Sequence, residues 1–296
     1  MGRGIRRLKA LGLLLTEKEA RARGSLLASW NQNLASAQYH VACRDGRVLI
    51  GNREIGRYMR KRVASEPAPA LRKHYSRGAR VALSETGSRP PDAVSFDRVL
   101  HARRTVRRFS RAPVALSDLA ALLRGTWGKT GERVDAFLGR VSTKTSPSAG
   151  ALHPIECYVL AWNVARLAPG LYHYDVAANE LRRLKKEPRV EARRVAIRCA
   201  SGQRWVGGAA FLCVMTAVFG RTLWKYQVES AYRVLWLEAG HLAQTFALLA
   251  TSRGLGPFGL DGLQDSFVER QIGLDGIREF PVYLCGAGVP ARDSSS

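Results

Sequence analysis

The stretch SPSAGALHPIECYVL, residues 146–160, decides the fold class. Its first half is serine, proline and glycine. Small residues of this kind leave backbone amides open to the close approach of a flat ligand, although an ordinary polar turn has the same composition. Its second half continues as IECYVLAWNV over 155–164, an apolar, β-branched and aromatic run that predicts a buried strand. Working outward, GLYHYDVAANELRRL (170–184) alternates apolar and polar residues about Ala177-Ala178-Asn179 and predicts a hairpin. AAFLCVMTAVF (209–219) predicts a second buried strand, and PVYLCGAG (281–288) a last one. Between these, Leu235, Ala239, Leu242, Phe246 and Leu249 recur at steps of four and three, a continuous apolar seam on a helix from Ala231 to Arg253, with Gly254 as its stop. Upstream, Leu116, Leu119, Leu122 and Leu123 mark a helix expected to be capped by Ser117 and closed by Gly125 and Gly128. GLGPFGLDGL (254–263) reads as a second glycine-rich loop, and a short helix is expected near 264–272. Helices and strands thus alternate, as in an α+β or α/β core.

The chain has 296 residues, 46% apolar and 24% charged, which excludes disordered and fibrous classes and allows one large domain or two smaller ones. Forty-seven Lys and Arg against 24 Asp and Glu give a formal charge of +23. Such a field draws nucleic acid, phosphorylated cofactors, acidic peptides and anionic membranes alike, so it selects no partner. No groove-reading motif accompanies it and aromatic residues are sparse among the arginines, which counts against specific nucleic-acid binding. Cys43, Cys157, Cys199, Cys213 and Cys285 stand far apart, without metal-ligand spacing, as reduced thiols of a cytoplasmic protein do. The start MGRGIRRLKALGLLL imitates a secretory signal, but its apolar core is shorter than the ~7–15 residues such a segment needs, and no other run approaches the ~20 of a membrane span. GSRPPDAVSF reads as a linker near 87–95. It divides the chain into a basic N-terminal segment, 1–95, and a domain over 96–296.

Two further motifs carry chemistry. ARRTVRRFS (102–110) sets Arg103, Arg104, Arg107 and Arg108 about Thr105, and guanidinium forks beside a hydroxyl suit a phosphate, although arginine runs also occur on plain solvated faces. FGRTLWKYQ (219–227) puts Lys225 beside Tyr226. A desolvated lysine near other cations can serve as a base and a tyrosine as a proton donor, but the pair is also what a wet surface next to a core would show.

In this order the segments resemble the FMN-dependent nitroreductase family, and within it the SagB-type dehydrogenases, which oxidise azolines in ribosomally made peptides. The resemblance runs from SWNQNLASAQYHVACRD through RRTVRRF, SPSAGALHPIECYVL, GLYHYD, AVFGRTLWKYQ, YRVLWLEAGHLAQTF and GLGPFGLDGL to the last strand. It implies a homodimer of α+β subunits, each with a mostly antiparallel sheet flanked by helices, FMN in clefts at the interface and the long helix at the dimer core. It assigns Arg103, Arg104, Thr105 and Arg107 to the FMN phosphate and ribityl chain, with Arg292 reaching the same phosphate. Ser146, Pro147, Ser148 and Ala149 are implied along the isoalloxazine, and Gly259, Asp261 and Gly262 at its N5 and dimethylbenzene edge. Lys225 and Tyr226 match the positions implicated in catalysis. Ala151 and His153 stand where nitroreductases proper have Asn and Gln, which counts against a nicotinamide-driven nitro or quinone reductase. The implied substrate is a peptide or peptide-derived molecule, handled with a partner biosynthetic enzyme; the charge of the basic N-terminal segment suits docking of an acidic leader peptide or an acidic partner enzyme. No metal is implied.

Overall fold

A computed structural model describes residues 34–43, 52–83 and 94–291. The expected linker, the N-terminal signal-like stretch and Arg292 lie wholly or mostly outside the described residues. In chain order the elements are α1 (Leu34–Ala42), α2 (Asn52–Ser65), β1 (Arg80–Ala82), α3 (Phe96–Ala102), α4 (Leu116–Trp127), β2 (Lys129–Asp135), β3 (Gly139–Lys144), β4 (Ile155–Ala161), β5 (Gly170–Asp175), β6 (Glu180–Lys186), α5 (Arg189–Cys199), β7 (Phe211–Val218), α6 (Phe219–Lys225), α7 (Ala231–Ser252), β8 (Gly256–Leu260), α8 (Asp265–Ile272) and β9 (Glu279–Gly288). Seven strands form one sheet in the order β1-β6-β5-β4-β7-β9-β8, and every neighbouring pair is antiparallel. The α+β architecture expected from the alternation is therefore present.

β4 and β7 are central, and the two-residue period of a strand sends their side chains to two separate cores. Ile155, Cys157, Val159, Phe211, Cys213 and Met215 face α4 and α7, together with Leu119, Leu122, Leu235, Leu242 and Phe246. Tyr158, Leu160, Leu212 and Val214 face α5 and α8. The hairpin at 170–186 and the helices at 231–252 and 265–272 form where the periodicity placed them. All five cysteines are buried free thiols.

The local expectations need three corrections. Ser117 does not cap α4: the N-cap is Ala115, which makes no side-chain cap bond, and Ser117 sits in the first turn. Gly125 is inside that helix and not at its end, because a side chain there would run into Leu249 of α7. GLGPFGLDGL is a loop only in part, since residues 256–260 are the edge strand β8, paired with β9 from Gly256↔Gly288 to Leu260↔Leu284. The seam on α7 also has a different destination. Leu242 and Phe246 are buried within the chain's own core, so the seam cannot itself be the face of a dimer, whereas Trp236 and Leu237 on the same helix are exposed.

Residues N-terminal to the expected linker are built onto the same sheet. β1 pairs with β6, His74 bonds Asp175 at 2.7 Å, and Lys73 reaches across the sheet to Glu279 and to the Tyr158 hydroxyl.

Candidate active site

The predicted site residues fall into two groups. In the first, the segment 103–109 runs along the sheet edge: the Val106 amide donates to the Pro257 carbonyl of β8 at 2.8 Å, and Phe109 bridges Pro290. Gly256 must be glycine there, since a side chain would collide with Val106. Arg103 caps the C-terminus of α3, whose N-cap Ser95 accepts from the Arg98 amide. The Arg104 guanidinium folds back onto the carbonyls of His101 and Arg103 at 2.8 Å, and Thr105 is exposed. The exposed Arg107 lies over the Trp205 ring at 5.5 Å, a contact the sequence reading missed. Among the described residues Arg103, Arg104 and Arg107 form no ion pair. Gly259 ends this edge with no room for a side chain beside Tyr283, and Asp261 and Gly262 follow, exposed.

The second group forms around the loop at 146–150. Gly150 has φ +66°, and a side chain there would strike Lys225 Cδ and Tyr226 Oη at 2.9 Å and Lys225 Nζ at 3.0 Å. The loop and the Lys-Tyr pair, some seventy residues apart in sequence, therefore meet at one point. Ser146 is buried and Pro147 exposed, with Ser148 and Ala149 half-buried. The Ser148 hydroxyl accepts from the His153 amide at 2.9 Å and turns the chain into β4. Among the described residues no hydrogen bond or ion pair joins the two groups.

Buried polar contacts fix the second group. Arg221, on the first turn of α6, bonds Glu156 at 2.6 Å, the His153 carbonyl at 2.9 Å and the Ala70 carbonyl at 2.9 Å. It thereby ties the helix bearing Lys225 to both the loop and the N-terminal segment. Burial pushes the Glu156 carboxyl up, but the bond from His173 at 2.9 Å and the Arg221 charge outweigh it and leave the group at about 2. His153 is pulled down to about 4 by burial and by Lys144, so it is neutral and donates from Nε2 to the Ser142 carbonyl. It is a structural residue. At the other end of α6, Trp224 Nε1 donates to the Glu66 carbonyl at 3.1 Å, and Arg62 of α2 donates to the Trp224 carbonyl at 2.8 Å.

Asp135, at the end of β2, was not legible as a site residue. Burial pushes its carboxyl up, but the amides of Phe137 and Leu138 and the charges of Lys225 and Arg133 hold it below the usual range. Burial, then the Asp135 charge, raise the Tyr226 phenol, which stays protonated at working pH as a hydrogen-bond donor.

Replacing Gly150 by alanine tests this convergence. A left-handed alanine costs about 1–2 kcal/mol, and the clash must move Lys225 or Tyr226 as well. The variant is expected to melt a few degrees lower and to lose part of any activity that depends on the pair, as thermal unfolding and rate measurements on one sample would show.

Comparisons with known proteins place this architecture. The sequence model of the nitroreductase family matches residues 100–289. A nitroreductase homologue from Methanocaldococcus jannaschii is 29% identical over 197 residues, covering 67% of this chain and 92% of that one. The trifolitoxin-processing protein TfxB of Rhizobium leguminosarum bv. trifolii is 30% identical over 169 residues, which are 55% of this chain and 44% of TfxB, so this chain spans less than half of that relative. Among solved structures, the Escherichia coli microcin synthetase McbBCD complex, with truncated pro-MccB17 bound, superposes with a TM-score of 0.53 at 21% identity, over 84% of this chain and 85% of the matched one.

Proposed function

The chain belongs to the nitroreductase family, whose members are generally oxidoreductases that usually bind a flavin, and from that premise we propose an FMN-dependent oxidase or dehydrogenase of a peptide-derived substrate. The reaction is the oxidation of an azoline ring to an azole. The observation that carries this reading is the meeting of Gly150 with Lys225 and Tyr226, which brings the proposed flavin-lining loop against an amine and a phenol. The naming of TfxB for processing of trifolitoxin, and the presence of McbBCD among the structural neighbours, support a peptide as substrate.

The residues fit the cofactor. Arg103, Arg104 and Arg107, without carboxylate partners among the described residues, would hold the phosphate with Thr105, and Arg292 would join them. Ser146, Pro147, Ser148 and Ala149 would line the ring, and Gly259, Asp261 and Gly262 its far edge. Bound FMN would supply the two-electron acceptor that the oxidation requires. Lys225 removes the remaining proton at Nζ from the neighbouring ring carbon, and the protonated Tyr226 holds a hydrogen bond at Oη beside it. Burial and the Asp135 charge keep that phenol protonated.

The two groups of site residues suit a homodimer in which a second copy completes each cleft, and the exposed Trp236 and Leu237 of α7 are the surface proposed for it. Arg53, Arg57, Arg60 and Lys61, exposed on α2, are the surface proposed for an acidic leader peptide or partner enzyme. No helix of the described residues is long and apolar enough to cross a membrane, and the proposed place of action is the cytoplasm.

The test is the absorption spectrum of purified protein, followed by anaerobic mixing with an azoline peptide. Flavin bands that bleach in a single turnover support the reading. Colourless protein that does not take up FMN overturns it, as does NADPH-driven reduction of a nitroaromatic without azoline bleaching.

A further inference from the structure

Between β3, β4, the start of α6 and the strap that precedes β1 lies a cavity that the proposed mechanism does not use. Its lining is unequal in charge: Arg72, Lys73, Arg140, Lys144 and Arg221 are set against a single carboxylate, Glu156. Glu156 is already held by Arg221 at 2.6 Å and His173 at 2.9 Å. Lys73 pairs with Glu279, and Arg72 and Arg140 share Glu132 at 3.5 Å, both acids lying outside the lining. Lys144 is left over. Among the described residues it forms no ion pair and no hydrogen bond, although it is half-buried. Trp127, 1% exposed at the end of α4, lines the same cavity and leaves its indole N–H without an acceptor. Two donors on one cavity, one of them charged, thus lack a protein partner.

We propose that this cavity binds a small monoanion, a carboxylate, which accepts from the Lys144 ammonium and the Trp127 indole. Water accepts the same bonds but leaves the charge uncompensated, and a cation withdrawn from solvent without a counter-ion is costly. Size selects the carboxylate. The cavity offers about 30 Å³ to the centres of water-sized molecules, and one water takes about 10–15 Å³ on that measure, so about two or three heavy atoms fit. The side chains of Arg72 and Arg140, 43% and 82% exposed, mark the open side, whereas Trp127, Glu156 and Cys157 are buried. Guanidinium groups at such a mouth draw an anion in without having to hold it. Burial pushes the Lys144 ammonium down to about 8, the charges of Glu156 and Glu238 resist, and those of Arg221 and Arg72 add to the fall. A carboxylate beside the ammonium opposes that fall. Arg72 of the strap already bonds the Ser142 hydroxyl of β3 at 3.1 Å, so an occupied cavity would fasten the strap further to the body of the fold. The site stands independently of the function proposed above.

The experiment measures thermal unfolding of the full chain near pH 6 at constant ionic strength, with acetate or formate replacing the bulky anion morpholinoethanesulfonate. Acetate and formate at about 0.1 M should raise the wild-type melting temperature by several degrees and then saturate, whereas benzoate, too large for the cavity, should not. Lys144→Met should not respond, and in sulfonate alone it should melt no lower than the wild type, because the uncompensated charge is gone. Trp127→Phe should need several-fold more acetate for the same rise. A blocked Gly-Glu-Gly peptide is compared with its Gly-Gln-Gly counterpart: a rise with the glutamate peptide alone identifies the source as a peptide carboxylate, and a rise with acetate alone identifies a free one. A wild type indifferent to the exchange of anions would overturn the proposal, as would an equal rise with benzoate or in Lys144→Met. FMN should bind acetate-saturated protein with unchanged affinity, and competition would place the flavin phosphate in this cavity and overturn the carboxylate assignment. If acetate acts as stated and FMN does not bind at all, the anion site stands and the functional reading fails.

Discussion

Lys225→Ala is expected to leave folding, FMN binding and substrate affinity nearly intact while slowing flavin reduction by an azoline peptide roughly 10²–10⁴-fold, the usual contribution of a positioned general base. The folding arm follows from the structure. The helix that carries Lys225 is held by Arg221, Trp224 and the Arg62 bond to the Trp224 carbonyl, none of which the substitution removes. Lys225→Arg should fare little better, because guanidinium keeps its proton at working pH. Tyr226→Phe deletes one oxygen and should slow the same half-reaction by less. Anaerobic single-turnover bleaching isolates that half-reaction from reoxidation, and wild-type rates in both the alanine and phenylalanine variants would remove the pair from the mechanism.

The largest effect on cofactor binding is expected from Arg103→Ala combined with Arg107→Ala. Charge-assisted bonds to a phosphate contribute roughly 1.5–3 kcal/mol each, so the double variant should bind FMN about 10²–10⁴-fold more weakly and purify colourless. It should still fold, because Arg107 is exposed and Arg103 contributes its backbone amide, not its side chain, to the end of α3. Fluorescence titration with FMN measures the loss, and a full complement of FMN in the double variant would show that the phosphate lies elsewhere.

What the sequence disclosed, and what it hid, followed from where each signal resides. β4, β7 and α7 bury whole faces, so their apolar runs and spacing are legible one residue at a time. β8 carries two glycines and a proline in five residues, and what makes it a strand is the pairing with β9, a partner some twenty residues away. Among its described residues α2 buries only Met59 deeply, and although its few apolar positions share one face, they are too sparse in a polar sequence to stand out as a core helix. The arginine cluster and the Lys-Tyr pair were visible as residue types at short spacing. Asp135 and Trp205 were not, because nothing local distinguishes them: each acquires its meaning from a neighbour brought up by the fold. Only the resemblance to a family linked the loop with the Lys-Tyr pair in advance, and the crowding at Gly150 is its physical expression.

The bond from Lys73 to Glu279 spans 206 positions. At about 5–20 residues per second of synthesis, roughly ten to forty seconds separate the two ends of that contact on the ribosome. During this interval the strap at 70–83 has emerged without its final anchor, and the edge of β6 that β1 will cover appears only midway through. β9, which lies between β7 and β8 in the sheet, is made after both, so the sheet cannot close in the order in which it is translated. Until β9 has emerged, the newborn chain therefore carries an open, strand-edged intermediate. Its yield in a cell should depend more on what shelters that intermediate than on the stability of the finished protein.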